Sequence, residues 1–255
     1  METSTTMADE TVDRRIALEG VTNFRDLGGY ETSDGRTVQW RRIFRSDTVA
    51  SLTDNDVKTV CGLGVTVSCD LRYAEERQAE PSRFLGHAQV KALALGLDAR
   101  PNASFLDSFD VMESTADAAY TYLLENYKHY PFLYHNAYRT IFDRLIAGDR
   151  VILHCTAGKD RAGTAAAMVL TALGVPRQTV FEDYLLTNAY WDAGARHRPG
   201  MSAEAAAAIF SAREDYLTAA FDAIENRYDT VDAYLADYVG LTDHAREALR
   251  NVCLS

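Results

Sequence analysis

Apolar positions fall into two patterns along this chain: short unbroken runs, and longer stretches in which they recur at helical spacing. The first pattern predicts buried strands and the second predicts amphipathic helices. The clearest run is Val151-Ile152-Leu153-His154. It leads into Cys155-Thr156-Ala157-Gly158-Lys159-Asp160-Arg161-Ala162-Gly163, and then into an apolar segment over 164–173. That segment predicts a buried helix, stopped at Gly174 with Pro176 just beyond. Strand, tight loop and helix is the predicted local order.

The same reading extends along the rest of the chain. Residues 1–14, rich in Thr, Asp and Glu, predict a disordered tail, with one domain over 15–255 ordered from about Ile16. Residues 23–29 read as a turn. Ser33-Asp34-Gly35 predicts a hairpin turn between short strands at 29–31 and 37–40, with another strand over 43–46. Thr53-Asp54-Asn55-Asp56 reads as a capping box for a helix running to about Cys61. A β-branched strand over 65–71 ends at Asp70-Leu71-Arg72. Glu75, Glu76 and Arg77 then open a solvated segment. A further strand is predicted over 90–95, and 96–114 reads as a loop over the site. Helices follow over 120–128 and 133–146, parted at Pro131. Beyond the core strand they continue over 176–190, 203–227, 230–239 and 242–251. Strands alternating with helices predict an α/β fold: a mostly parallel central sheet flanked by helices, with a helical C-terminal third.

Charge narrows the partners. The net charge is −11 over 255 residues, which disfavours nucleic acid and anionic membranes. No apolar run reaches the length of a membrane span and no secretory h-region opens the chain, so a cytoplasmic location is expected. Cys61, Cys69, Cys155 and Cys253 show neither Cys-x-x-Cys nor Cys/His clustering. Neither a disulfide framework nor a zinc site is predicted, and a reducing compartment suits them.

In so acidic a protein, an anion site must be a local positive island, and the 155–161 loop can build one. Successive backbone N–H groups between a strand and a helix N-terminus point into one concavity, and the helix dipole adds positive potential. Gly158 allows the turn, and Arg161 offers a planar fork to two phosphate oxygens. A thiol at the floor, among N–H donors, Lys159 and Arg161, is expected to ionise readily and attack phosphorus. The plainer competitor is an ordinary buried cysteine at a strand end. A nucleotide-binding loop is excluded, because Asp160 follows the Gly-Lys pair and the upstream Gly is missing.

His154-Cys155-x5-Arg161 resembles the signature of the cysteine-dependent protein tyrosine phosphatase superfamily. Cys-Thr-Ala-Gly-Lys-Asp-Arg over 155–161, paired with Asn23-Phe24-Arg25-Asp26-Leu27-Gly28-Gly29, resembles its bacterial branch of the mycobacterial type. The resemblance implies a hydrolase that works without metal or cofactor through a cysteinyl-phosphate. It implies phosphotyrosine protein as substrate, with phosphoserine, phosphothreonine and phosphoinositides as further possibilities. It also implies a helical lid, a bound phosphate or other oxyanion in the loop, and is read here with a monomer as the expected state. Cys155, Arg161 and Asp160 are the candidate catalytic residues, Asp160 as the general acid on the pattern of that branch. Asp70, at a strand end, is the second candidate acid, with pairing to Arg72 as its structural alternative. Asp107 and Asp110 rank third.

His154, Thr156, Ala157, Gly158 and Lys159 are the expected loop contacts to substrate. His154 is expected to orient the loop, and Lys159 either to hold a second phosphate or to be a plain solvated charge. Arg25 and Asp26 are read as braces of the loop through an Arg–carboxylate contact, with a direct substrate role as the alternative. Ala162 departs from the Ser or Thr common after the Arg, and Thr164 points elsewhere, so slow breakdown of the intermediate is expected. The rival functions are a catalytically weak phosphate-binding module and, lower, a loop-cysteine sulfur transferase.

Overall fold

Five short strands set the frame in the computed structural model, which describes residues 13–99, 115–192 and 202–255. β1 (Arg25–Asp26), β2 (Ile43–Ser46), β3 (Val67–Asp70), β4 (Lys91–Ala94) and β5 (Val151–His154) form one sheet in the order β1-β2-β5-β3-β4. Only β1 is antiparallel to its neighbour. β5 lies centrally, and its last residue, His154, is in register with Ser46 of β2 and Asp70 of β3. Three strands therefore finish together at the carboxyl edge, where open parallel sheets hold their ligands. All four β5 residues are buried, as a strand covered on both faces requires.

The helices are α1 (Asp54–Gly62), α2 (Ala74–Ala79), α3 (Ala116–Leu133), α4 (His135–Ile146), α5 (Arg161–Leu173), α6 (Arg177–Leu185), α7 (Thr187–Tyr190), α8 (Ala203–Phe210), α9 (Glu214–Tyr228), α10 (Val231–Tyr234) and α11 (Asp243–Cys253). α10 runs into a π turn, Leu235–Val239. α1 starts with the expected capping box of Thr53 and Asp56. α5 is buried along nearly its whole length and ends at Gly174, whose φ of 90° suits glycine. The α/β class and the helical C-terminal third are as the sequence predicts. Among the described residues no helix is long and apolar enough to cross a membrane.

Several elements differ from the sequence reading. The 29–40 hairpin is reduced to one bridge, Glu31 to Thr37, and Val38 is bridged to Leu254 near the C-terminus. Within the 23–29 turn, Arg25 and Asp26 form β1 against Arg45 and Phe44. Arg14 is ordered, donating to the carbonyls of Asp26 (3.1 Å) and Gly28 (3.0 Å), whereas residues 1–12 of the expected tail lie outside the described residues. Pro131 sits inside the last turn of α3 rather than ending it. The helix runs only two residues past it, to Leu133, and the Pro131 carbonyl accepts the Tyr234 hydroxyl at 2.5 Å. The 176–190 helix breaks at Leu186. The 203–227 helix breaks at Ser211, where Asn188 both accepts from the Ala212 N–H (2.7 Å) and donates to its C=O (2.8 Å). That side-chain amide substitutes for a backbone partner and overrides a strong helical preference.

Candidate active site

The β5–α5 loop is held by its carbonyls. Thr156 O accepts from the Thr48 N–H (3.1 Å), and Ala157 O from Asn23 Nδ2 (3.0 Å). Gly158 O and Lys159 O accept from Arg45 Nε (2.8 Å) and Nη2 (3.1 Å). Asp160 O accepts from the N–H (2.8 Å) and hydroxyl (2.9 Å) of Thr164. Across a trans peptide, a carbonyl and the following N–H point in opposite directions. Five carbonyls tied outward therefore turn the N–H groups of residues 157–161 inward, toward the end of β5 where Cys155 lies. Gly158 makes the tightest turn: its φ is 68°, and a Cβ there would stand 2.4 Å from the Ser46 carbonyl oxygen.

Beneath the loop lies a buried charge cluster. Arg25 Nε and Arg45 Nη1 each reach a different oxygen of Asp183, both at 3.0 Å, and Tyr30 donates to the same carboxylate at 3.1 Å. Burial alone would push the Asp183 carboxyl up; Arg25 and Arg45 outweigh it and hold it down at about 2. Two guanidinium groups share one carboxylate, leaving an excess positive charge under the loop. Arg45 passes that polarisation on through the two carbonyls it holds.

Arg161 faces the loop from the start of α5. Its Nη1 and Nη2 form a fork on Glu76 at 2.5 and 3.0 Å, and Nη2 also donates to Thr156 Oγ1 at 3.2 Å. Glu76 accepts further from the Tyr73 N–H (2.8 Å) and from the Thr156 hydroxyl. Burial pushes this carboxyl up, but Arg161 and Thr156 prevail and bring it to about 2. The Arg161 guanidinium stands 4.7 Å from the Tyr73 ring centroid.

These groups open into a cavity of about 230 Å³, lined by Cys155, Thr156, Ala157, Lys159, Asp160 and Arg161 and walled by Tyr73, Tyr122, Tyr130, Trp191 and Phe210. A larger cavity, about 540 Å³, lies between α6 and α9 and contains none of the loop residues. The smaller one brings Cys155, Arg161 and the rest of the loop together, which makes it the candidate active site.

Residues 16–255 match the tyrosine phosphatase family. The chain belongs to it. A protein of Cupriavidus necator, provisionally named a tyrosine-protein phosphatase, is 30% identical over 233 residues, covering 87% of this chain and 83% of that protein. The triple specificity protein phosphatase PtpB of Mycobacterium tuberculosis is 27% identical, covering 93% of this chain and 98% of its own. The solved structure of P. aeruginosa TpbA aligns over 72% of this chain and 89% of its own at 18% identity, with a TM-score of 0.30, too distant to bear on the fold.

Within this phosphatase, Cys155, Thr156, Ala157, Lys159, Asp160 and Arg161 meet at one cavity, and Gly158 shapes the loop that forms it. Lys159, however, is 1% exposed. Its ammonium donates to the carbonyls of Ile209 and Ser211 (3.3 Å for the latter) and lies 3.4 Å from Asp160 Oδ1. It is therefore not the solvated charge allowed for. His154 lies beneath the loop, bonded through Nε2 to Ser68 Oγ at 3.0 Å. Burial lowers its pKa to about 4, against the opposing pull of Asp70, so the ring is neutral near pH 7.

Asp70 is not at the cavity. Arg72 engages it through Nε (2.9 Å), Nη2 (2.6 Å) and the backbone N–H (3.0 Å), which is the structural alternative foreseen for it. Burial raises its carboxyl, and His154 with Arg72 brings it below the ordinary range. Arg25 and Asp26 also lie away from the cavity. The brace is real but its carboxylate is Asp183; Asp26 instead accepts the N–H groups of Gly28 (2.8 Å) and Arg41 (2.7 Å). Asp107 and Asp110 lie outside the described residues.

Three residues that hold the loop and its cation escaped the sequence reading: Glu76, Arg45 and Asp183. Arg45 carried a usable signal, since a cation within the apolar run Ile43-Phe44-Arg45-Ser46 must find a partner when buried. Glu76 follows a strand end at the carboxyl edge, which is also a usable cue. Asp183 sits in ordinary helical sequence and offered none.

Proposed function

We propose that this phosphatase hydrolyses phosphate monoesters through a cysteinyl-phosphate, with residues 15–255 acting as one domain. A phosphate dianion docks on the inward N–H groups of 157–161 and on Arg161. The Cys155 thiolate attacks phosphorus in line, so that the S–P bond forms as the ester P–O bond breaks, and Asp160 protonates the departing oxygen. Water then adds to phosphorus, returns a proton to Asp160 and releases the thiolate. The observation that supports this most directly is the outward tethering of five consecutive carbonyls, which aims the intervening amides at one point. The aromatic walls suit the ring of phosphotyrosine. Phosphoserine, phosphothreonine and phosphoinositide head groups are proposed as further substrates, in line with a relative named for triple specificity.

The test is to quench a reaction with a phosphotyrosyl peptide, in the presence of a chelator, and map the phosphorylated residue by mass spectrometry. A phosphoryl group on Cys155, and loss of both adduct and turnover in Cys155→Ser, is the expected result. Turnover that survives in Cys155→Ser, or an adduct on another residue, sinks the proposal. Phosphate release from head groups, compared under the same conditions, ranks the substrate classes.

A further inference from the structure

Asp160 is gripped on one side only. The Tyr127 hydroxyl lies 2.8 Å from Asp160 Oδ1, and the Lys159 ammonium approaches the same oxygen at 3.4 Å. Among the described residues, Oδ2 has no hydrogen-bond partner, and Asp160 lines the cavity. Behind Tyr127, its hydroxyl oxygen is 2.6 Å from that of Tyr184. Oδ1 accepts whether the carboxyl is ionised or protonated on Oδ2, so Tyr127 spends its single proton on Asp160. Its oxygen then accepts from Tyr184. The direction of the whole relay is thereby fixed: Tyr184 to Tyr127 to Asp160.

Both tyrosines are fully or almost fully buried, from α3 and α6, and their rings meet edge to face at 6.2 Å. Tyr127 also stacks on Tyr216 of α9 at 5.5 Å. Burial, with Asp160 alongside, keeps the Tyr127 hydroxyl protonated far beyond the ordinary range, so it remains a donor.

We infer that Tyr127, backed by Tyr184, is a positioning residue that, with Lys159 alongside, occupies Oδ1 of Asp160 and so places the transferable proton on Oδ2, facing the leaving group. The inference rests on the reading of Asp160 as general acid. In the transfer step the Oδ2–H bond breaks, the proton goes to the leaving oxygen, and the negative charge left on the carboxylate is shared with Oδ1, where Tyr127 stabilises it. The same donor holds the carboxylate ready to take a proton from water in the second step.

General acid help matters most when the leaving group is poor. The readout is therefore the ratio of kcat/KM for p-nitrophenyl phosphate to that for phenyl phosphate, which reports events up to phosphorylation of the enzyme whatever limits turnover. Tyr127→Phe keeps the ring and removes the donor. It is expected to lower kcat/KM for phenyl phosphate about ten-fold, the size of one hydrogen bond to a charged group, and that for p-nitrophenyl phosphate far less. Asp160→Asn should show the same skew more strongly, roughly a hundred-fold or more on the poor leaving group. Adding Tyr127→Phe to Asp160→Asn should change the ratio no further.

Equal loss on both substrates in Tyr127→Phe, or no loss, overturns the inference while Asp160→Asn still skews. A flat response in Asp160→Asn overturns the general-acid reading, and the positioning role with it. Tyr184→Phe, one bond further back, should show the same skew more weakly. It decides the question if Tyr127→Phe does not fold, since an unchanged ratio there refutes the relay.

Discussion

Replacing Glu76 by Gln keeps the shape of the side chain and removes its charge. In the wild-type protein the carboxylate receives a two-point contact from Arg161, the Thr156 hydroxyl and the Tyr73 N–H, with 19% of the Glu76 side chain and 10% of the Arg161 side chain exposed. Its pKa falls from 4.5 to about 2 against the opposing effect of burial. That difference corresponds to about 3 kcal/mol of stability, in the range of about 3–5 kcal/mol for removing one partner of a buried pair. A carboxyl whose folded pKa is depressed stabilises the protein above its unfolded pKa and stops doing so as pH falls through the folded one. The contribution is thus complete above about pH 5.5 and fades between 4.5 and about 2. Urea unfolding of wild type and Glu76→Gln at several pH values, read at constant m, measures it. The expected gap is about 3 kcal/mol at pH 7, narrowing steadily toward pH 3. A gap below about 1 kcal/mol at pH 7, or one that does not narrow, would falsify the reading of Glu76 as the charged anchor of Arg161.

Three further outcomes follow from the geometry. Gly158→Ala introduces a Cβ 2.4 Å from the Ser46 carbonyl at a φ of 68°. It should cost about 1–3 kcal/mol and abolish orthovanadate binding by calorimetry, and wild-type affinity in the variant refutes the loop assignment. Asp183→Asn leaves Arg25 and Arg45 buried against each other with reduced compensation. Its thermal midpoint should drop by about 10 °C for a loss of about 3–5 kcal/mol, and a change of only a degree or two removes the brace from the account. Ala162→Ser restores a hydroxyl next to Arg161, where Thr164 is committed to the Asp160 carbonyl at 2.9 Å. Rapid-quench kinetics should show faster decay of the phosphoenzyme; an unchanged decay rate means that Ala162 does not limit the second step.

The legible parts of this molecule were those written locally. β5, the loop and α5 follow one another without a gap, so their order and the cluster around Cys155 could be read directly. The Thr53–Asp56 cap is equally local. Partners set by the fold were not legible. Arg25 reads as a brace through an Arg–carboxylate contact, but the sequence does not name its partner, Asp183, 158 residues away. Glu76 looked like part of a solvated acidic segment because α2 spans only six residues and its partner lies 85 residues on. The break at Ser211 depends on one amide from Asn188, and no propensity along 203–227 announces it. Asp70 was placed at the right edge of the sheet, but only the register with His154 and the reach of Arg72 show that it is taken.

The origin of the loop's tethers bears on when this protein becomes reactive. Asn23, Arg45 and Thr48 lie more than a hundred residues upstream of the carbonyls they hold. Contacts of such long sequence separation carry a loop-closure entropy that must be met before they form. A nascent or partly unfolded chain therefore holds no concave amide array around Cys155. Bound orthovanadate should in turn slow global unfolding, since it binds only the finished tertiary structure.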